Sequence, residues 1–263
     1  MVYFLTSSPF TPGTPYLNPA NGFLDALQRA LPRRSDALFI CADPNRPAYT
    51  DHIAGDMRLA LEHEGYCFSD FRILDGRNET SAANLVQNAG LIVLAGGHVP
   101  TQNAFFQKID QKACMKAFDG VLIDISAGTM NCADPVYAQP EEEGEAVSPH
   151  YRRWLPGLGV TRTMLLPHYQ MVKDSKVDGL KLFDEITLPD SAGRTFLRHP
   201  GRQLPAGPGR TGNPVRGSPS HPGRPHGAGG MGKRSPGPFV SREKGTHCGA
   251  EGSDGPGRTG GTD

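Results

Sequence analysis

Ser126 stands where a serine could serve as a nucleophile. It comes directly after the mainly apolar run 121–125, and the small residues Ala127 and Gly128 follow it before a segment that can be helical. A strand–turn–helix of this kind presents a catalytic serine on a sharp, strained turn, which requires small neighbours. The residue after the serine opens the helix, where a backbone N–H without a helical partner can face a developing oxyanion. A strand-to-helix turn with no chemistry fits the same residues.

His168 is the candidate base. It follows the apolar run 163–166 and Pro167, whose ring restricts the backbone that presents the imidazole. A serine hydroxyl needs a base within hydrogen-bond reach to become a good nucleophile. A single histidine at a strand end is often structural. His168 can act as the base only if the fold places it beside Ser126 in the same sheet.

The rest of the body alternates predicted strands with predicted helices. This alternation predicts a three-layer α/β/α fold with a mostly parallel sheet and helices on both faces. In such sheets the chemistry lies at the carboxyl ends of the strands, where Gly96-Gly97 and Ser126 fall. The predicted strands are 2–6, 37–41, 71–74, 91–95, 121–125 and 163–166, and the predicted helices are 23–31, 53–65, 80–85 and 101–109. The acidic segment 140–145 is predicted to be a solvated loop.

The last 66 residues differ from the body in composition. Segment 198–263 holds 18 of the 33 glycines and 10 of the 24 prolines, and it contains no Ile, Tyr or Trp. It has 10 Lys and Arg against 4 Asp and Glu, so the formal net charge of zero is a cancellation between a basic tail and an acidic body. So few apolar side chains cannot offset the entropy cost of ordering. The sequence therefore predicts an α/β domain over 1–197 and a disordered tail over 198–263.

The cysteines and histidines bear on the cellular compartment and on metal binding. Five scattered cysteines without a C-x-x-C pair indicate reduced thiols and a cytoplasmic protein. The N-terminus lacks a signal-peptide pattern, and no apolar run reaches the length of a membrane span, so no membrane partner is expected. No metal site is expected either, because short ligand spacing is absent among the histidines considered, namely His52, His63, His98, His150 and His168.

Several segments together resemble a known family, the peptidase E and cyanophycinase-like serine peptidases, whose fold is related to class I glutamine amidotransferases. The resemblance spans residues 1 to about 197. Its main motifs are Ala-Gly-Gly-His at 95–98 with Asn103, Asp-Ile-Ser-Ala-Gly at 124–128, and Leu-Pro-His-Tyr at 166–169. Segments 156–159 and 178–183 also match.

The resemblance implies roles for individual residues. Ser126 would be the nucleophile and His168 its general base, while the backbone N–H groups of Gly97 and Ala127 would form an oxyanion hole. Cleavage would occur at peptide bonds next to an aspartyl residue, without a cofactor.

Two further residues would belong to the substrate site by the same resemblance, Gly96 and Asn103. One departure from the family pattern is Asp124, since many members carry Gly two residues before the serine. Its carboxyl either places a charge near the nucleophile or faces away.

The acid that would orient the histidine is not evident. Relatives continue past the histidine with a segment close to Ala-Leu-Pro-Asp-Gly-Ser, but here the resemblance stops before Arg198. The possible substitutes are Asp184, Glu185 and Asp190. Residues 198–204 can be encoded by codons that, read one base later, give Ala-Thr-Pro-Asp-Gly-Ser-Cys. A frameshift would explain the tail, and it predicts an insertion or deletion between the codons for Thr195 and Arg198.

These patterns support a serine peptidase acting on short peptides, with a catalytically impaired amidotransferase-like binding module as the alternative. Cys114 and Cys132 do not occupy the turn after the strand, which disfavours a cysteine nucleophile. The Arg-Gly content of the tail is compatible with nucleic-acid binding, but Phe239 is its only aromatic residue, so base stacking would be meagre and no nucleic-acid partner is expected. The oligomeric state, monomer or dimer, is left open.

Overall fold

The structure, a computed structural model, describes residues 1–198 and 204–206. Met1–Gly212 forms one compact unit, and the second unit, Asn213–Asp263, lies outside the described residues. The predicted disorder of the tail and the frameshift hypothesis concern residues that are for the most part outside this description.

The strands of the described chain are short and follow one another between helices. They are β1 (Val2–Thr6), β2 (Arg34–Ile40), β3 (Cys67–Leu74), β4 (Leu91–Leu94), β5 (Val121–Ile125), β6 (Val136–Tyr137), β7 (Trp154–Leu155), β8 (Met164–Leu166), β9 (Lys176–Val177), β10 (Leu180–Lys181), β11 (Phe196–Arg198) and β12 (Leu204–Ala206).

The helices lie between these strands. They are α1 (Phe23–Ala30), α2 (Pro47–His63), α3 (Ala82–Gln87), α4 (Val99–Lys108), α5 (Gln111–Lys116), α6 (Ala127–Asn131), α7 (Tyr169–Val172) and α8 (Leu188–Asp190), with a π turn at Leu182–Thr187 and 3-10 turns at Ala20–Gly22 and Glu79–Ser81.

A six-stranded sheet forms the centre of the unit. Its order is β12-β1-β5-β4-β2-β3, in which β1, β5, β4, β2 and β3 run parallel and β12 pairs antiparallel with β1. Since β1, β5 and β4 are parallel neighbours, the residues that follow them lie together at the carboxyl end of the sheet. This arrangement places Ser126 beside the segments that leave β1 and β4.

Alternating side chains of the sheet face two separate apolar layers. On one face, Phe39 and its neighbours pack with Phe23 of α1 and Met57 of α2. On the other face, Leu38 and its neighbours pack with Phe105 of α4 and with residues of α3 and α5. Because a strand projects successive side chains to opposite faces, a sheet buried on both sides reads as a continuous apolar run. The predicted three-layer α/β/α fold with a mostly parallel sheet is confirmed.

Several element boundaries and one pairing differ from the sequence expectations, the largest shifts being those of α2 and β3. Helix α2 begins at Pro47 rather than near residue 53, because proline suits the first turn of a helix. Strand β3 begins at Cys67 rather than at 71. It is an edge strand, and the polar residues in its first half interrupt the apolar run from which a strand is predicted. Strand β8, which delivers His168, pairs in parallel with β11 in a separate two-stranded sheet and not in the central sheet.

Two described pieces of segment 198–263 are extended. Arg198 closes β11, and β12 pairs with β1 at the edge of the central sheet. Pairing therefore continues beyond residue 197, where the sequence analysis placed the end of the α/β domain. Among the described helices, none combines the length and apolar character that a membrane crossing would require.

Candidate active site

Ser126 occupies a strained turn between β5 and α6. Its backbone has φ 47° and ψ −104°, in the half of backbone space that residues with a Cβ rarely adopt. A hydrogen bond from its N–H to the Thr6 carbonyl, 2.9 Å long, ties the turn to β1. Strain of this kind persists only where the surroundings hold it, and it is common at functional sites.

The small residues around the turn are required by close packing. A Cβ added to Gly128 would lie 2.7 Å from both Cβ and the backbone oxygen of Leu94. A Cβ on Gly96 would lie 3.2 Å from Ile125 and 3.3 Å from Cβ of Ser126. The glycines therefore let α6 and the segment after β4 approach the serine.

His168 reaches the serine from the segment that follows β8. Its Nε2 lies 3.2 Å from Oγ of Ser126, within hydrogen-bond distance across 42 residues of chain. His168 has left-handed backbone angles, φ 52° and ψ 29°, and its N–H donates to Oγ of Ser7 over 3.3 Å. Pro167 and Ser7 thus present the imidazole to the strained turn.

Burial lowers the pKa of His168 below its usual value of 6.5. Removal from water disfavours the charged imidazolium, so the ring is neutral at pH 7. A neutral Nε2 without its proton can accept the hydrogen of the Ser126 hydroxyl. The electrostatic state therefore suits a general base.

No described carboxylate accepts a hydrogen bond from the other ring nitrogen of His168. Asp190 instead accepts from Tyr137, at 2.9 Å, and pairs with Arg153, at 2.8 Å. Glu185 and Asp184 both contact Lys181, the first at the backbone N–H and the second at Nζ. None of the three acids suggested by the sequence is thus placed on the histidine.

Four of the residues singled out from the sequence line one cavity. Gly96, Gly97, Ser126 and His168 surround a space of about 370 Å³. A Cβ on Gly97 would come within 2.6 Å of Cβ of Ala42, so only glycine fits there without movement. The cavity is therefore a place where a substrate could meet both the serine and the histidine.

Ala127 and Asn103 do not line this cavity. Ala127 is fully buried at the first position of α6, where the helix supplies no acceptor for its N–H. Asn103 is buried and donates to Asn131 Oδ1 and to the Pro156 carbonyl, both at 2.8 Å. The Asn103 amide thus links α4 to Asn131 of α6 and to the backbone of Pro156. It does not contact the cavity.

Asp124 lies on the sheet face opposite the cavity. Its neighbour Ile125 lines the cavity, and side chains alternate along the strand. Asp124 is fully buried near Cys132, and burial raises the pKa of both groups well above their usual values. Burial therefore favours the neutral carboxyl, which lies on the face of the sheet away from the Ser126 cavity.

In the acidic segment 140–145, residues 141–144 are exposed, as expected for a solvated loop, but Glu145 is partly buried. His98, which follows Gly97, has Nδ1 2.7 Å from Oγ1 of Thr101 and Nε2 2.9 Å from a carboxylate oxygen of Glu145. The side chain of Glu145 is 14% exposed. This contact ties the loop after β4 to the acidic segment, and residue spacing could not reveal it.

The same place holds the grouping of described residues best suited to a metal ion. His98, Glu142 and Glu145 have potential ligand atoms within 4.8 Å of one another. Both ring nitrogens of His98 already have partners, so the imidazole is committed to hydrogen bonds.

Comparisons with known proteins support the fold. A Listeria monocytogenes EGD-e protein of solved structure, provisionally named a peptidase E, matches with a TM-score of 0.52 and 16% identity, over 80% of this chain and 95% of that one. No family model matches the chain, and no curated protein matches it by sequence. The structural likeness extends to the arrangement of the sheet and its helices.

Sequence reasoning missed the part of the site contributed by the end of β1. Ser7 and Ser8 follow this strand and line the cavity with Ser126. Their position directly after a predicted parallel strand could have indicated a place in the site, because the carboxyl ends of parallel strands lie on the same side of the sheet. The apolar residues that α2 contributes to the cavity gave no such signal.

Proposed function

We propose that the protein is a serine-type hydrolase that cleaves peptide bonds in short peptides. The observation that carries this proposal is the 3.2 Å distance between Oγ of Ser126 and Nε2 of His168, on a strained turn that opens into a cavity. The structural neighbour named a peptidase E supports the same reading. A cavity of about 370 Å³ is near the lower end of the range for small-ligand sites and suits a short substrate.

The mechanism follows from the order of these groups. Nε2 of His168 takes the hydroxyl proton of Ser126 as Oγ attacks the scissile carbonyl carbon. The backbone N–H groups of Gly97 and Ala127 are proposed to stabilise the oxyanion of the tetrahedral intermediate. The imidazolium then gives its proton to the leaving amine, and water releases the acyl group by the same route in reverse.

The family resemblance implies a preference for an aspartyl residue at the cleaved bond, but no lysine or arginine is among the described lining residues, so this preference is not part of the proposal. Two narrower predictions accompany it. A share of Gly96 in substrate binding is supported by its place on the cavity wall. A cytoplasmic location is supported by the scattered cysteines.

A second candidate is a binding module with the same fold and impaired catalysis. The observation that favours it is the lack of a carboxylate on His168 within the described ranges. Loss of the orienting acid in a serine protease costs about 10⁴-fold in turnover, while the rest of the site keeps some activity. A slow enzyme and a binding module are therefore separated by whether any turnover depends on the serine.

Replacement of Ser126 by alanine tests the two candidates. For the hydrolase, dipeptide turnover measured by released amine should fall to the background rate, and because triad groups act as a unit, the fall is smaller in a site without an orienting acid than in a complete triad. The matched control is Ser81→Ala, because Ser81 is exposed and makes no side-chain cap hydrogen bond at α3. If wild type and Ser126→Ala release amine at the same rate, the hydrolase proposal is wrong.

A further inference from the structure

The wall of the Ser126 cavity is mainly apolar. Five of its side chains come from the core layer that packs against α1 and α2, namely Phe10, Phe39, Ile53, Met57 and Ile125. Phe39 and Met57 are each only 1% exposed and form the base of the wall, where it joins the core. The apolar surface that an entering group meets comes from the half-buried side chains of Phe10, Ile53 and Ile125.

The polar groups of the wall offer no positive charge. They belong to three serines, to Tyr49, to His168 and to the Gly96-Gly97 backbone, and no lysine or arginine is among the described lining residues. The pKa of His168 is lowered by burial, so the ring adds no charge near neutral pH. A carboxylate placed here would lose water and gain at most hydrogen bonds without an ionic partner, which is less favourable than burying an apolar side chain.

One cation lies next to the lining without belonging to it. The guanidinium of Arg46 stacks on the ring of Tyr49, 4.8 Å from its centre, and Tyr49 is 50% exposed at the cavity wall. Arg46 is exposed and occupies the position before α2. It could meet a charged terminus of a peptide, whereas the apolar wall lies within the cavity.

We infer that the cavity selects an apolar side chain, aliphatic or aromatic, on a residue next to the scissile bond, in place of the aspartyl side chain that the family resemblance implies. This inference rests on the proposed function and specifies its substrate class. The selected side chain belongs beside the bond because Ser126 and Ile125, adjacent in the chain, line the same space. The apolar wall favours it by removing its surface from water.

A matched dipeptide series tests the inference. Leu, Asn and Asp side chains are close in size but differ in polarity and charge, so we compare kcat/KM for Leu-Ala, Asn-Ala and Asp-Ala, and for the reversed sequences. In one of the two orders, the leucyl peptide should exceed the aspartyl peptide by at least about 10-fold, with the asparaginyl peptide between them. An aspartyl peptide cleaved as fast as its leucyl counterpart in both orders overturns the inference and leaves the proposed hydrolase intact.

A charge placed on the wall should change this preference. Ile53 is half-buried on α2, and Ile53→Arg should lower the leucyl-to-aspartyl ratio by about 10-fold or more. The control is Leu59→Arg on the same helix, which adds the same charge at a side chain that is 64% exposed and outside the cavity. An equal change of ratio in both variants would contradict a role for the wall.

Arg46→Gln tests the remaining source of aspartyl recognition. The inference predicts an unchanged leucyl-to-aspartyl ratio in this variant. A wild-type preference for aspartyl peptides that Arg46→Gln abolishes would overturn the inference and assign the selection to Arg46.

Binding keeps the inference testable if turnover is absent. Calorimetry with Ser126→Ala should detect tighter binding of Leu-Ala or Ala-Leu than of the matching aspartyl peptide, by about 10-fold or more. Leucyl binding without wild-type hydrolysis would reject the hydrolase and retain the apolar selection. Aspartyl binding as tight as leucyl binding, or no binding of either peptide, would reject the selection.

Discussion

Asp124 provides a quantitative test of how the strand before Ser126 is built. The residue is fully buried, and neither carboxyl oxygen has a hydrogen-bond donor among the described residues except the weak Cys132 thiol. Burial raises its pKa well above the usual 3.8, so the folded protein retains the carboxyl proton to higher pH than the unfolded chain does. In the unfolded chain the same group ionises near its usual pKa.

The difference in protonation makes the fold less stable as pH rises. Above the unfolded pKa the folded state binds one more proton than the unfolded state, so the free energy of unfolding falls by about 1.4 kcal/mol per pH unit. The decline continues up to the raised pKa of the folded state. Asp124→Asn, which has no proton to lose, should remove this decline.

Urea unfolding of wild type and Asp124→Asn at pH 5, 6 and 7 measures the effect. The stability of the variant relative to wild type should increase by about 1.4 kcal/mol for each pH unit. Asp119→Asn is the matched control, because Asp119 is exposed and close in the chain, and its stability should run parallel to wild type. A constant difference between wild type and Asp124→Asn across the range would refute the assignment of a neutral carboxyl.

Two further predictions address the proposed general base, His168, and the turn at Ser126. The acid limb of the kcat/KM profile for a cleaved dipeptide should have its midpoint below pH 6.5, because burial lowers the pKa of His168 and only the neutral ring accepts the serine proton; a midpoint above that value would contradict this assignment. Gly128→Ala should destabilise the fold by about 1–3 kcal/mol in urea unfolding, because the new Cβ meets the backbone of Leu94. Gly55 lies within α2, and a Cβ added there meets nothing within 4 Å. Gly55→Ala should therefore stabilise the fold by about 0.5–1 kcal/mol. A stability change of the same sign for both glycines would refute the packing argument.

The two halves of the site differ in how they are held. Ser126 is fixed by the central sheet, through β5 and a hydrogen bond to Thr6. His168 comes from β8, which lies in a two-stranded sheet with β11, and its backbone is tied to Ser7. The serine–histidine contact therefore depends on how the β8 and β11 pair packs beside β1.

The local pattern of apolar, polar and small residues was enough to predict several structural features of this protein. The alternation of apolar runs with amphipathic segments determined the order of strands and helices, because side-chain period reports which faces are buried. The residues after β5 also determined a tight turn at Ser126, since only small residues allow a helix to start so close to a sheet.

Tertiary structure alone decided which of these pieces meet. The neighbouring positions of β1, β5 and β4 place Ser7, Gly96 and Ser126 at one edge, and the packing of α2 adds apolar side chains to the cavity. Packing also decided that Asp124 is buried away from the cavity and that Asn103 contacts the 156 segment. These outcomes depend on contacts between residues far apart in the chain, and such contacts leave no mark in the spacing of neighbouring residues.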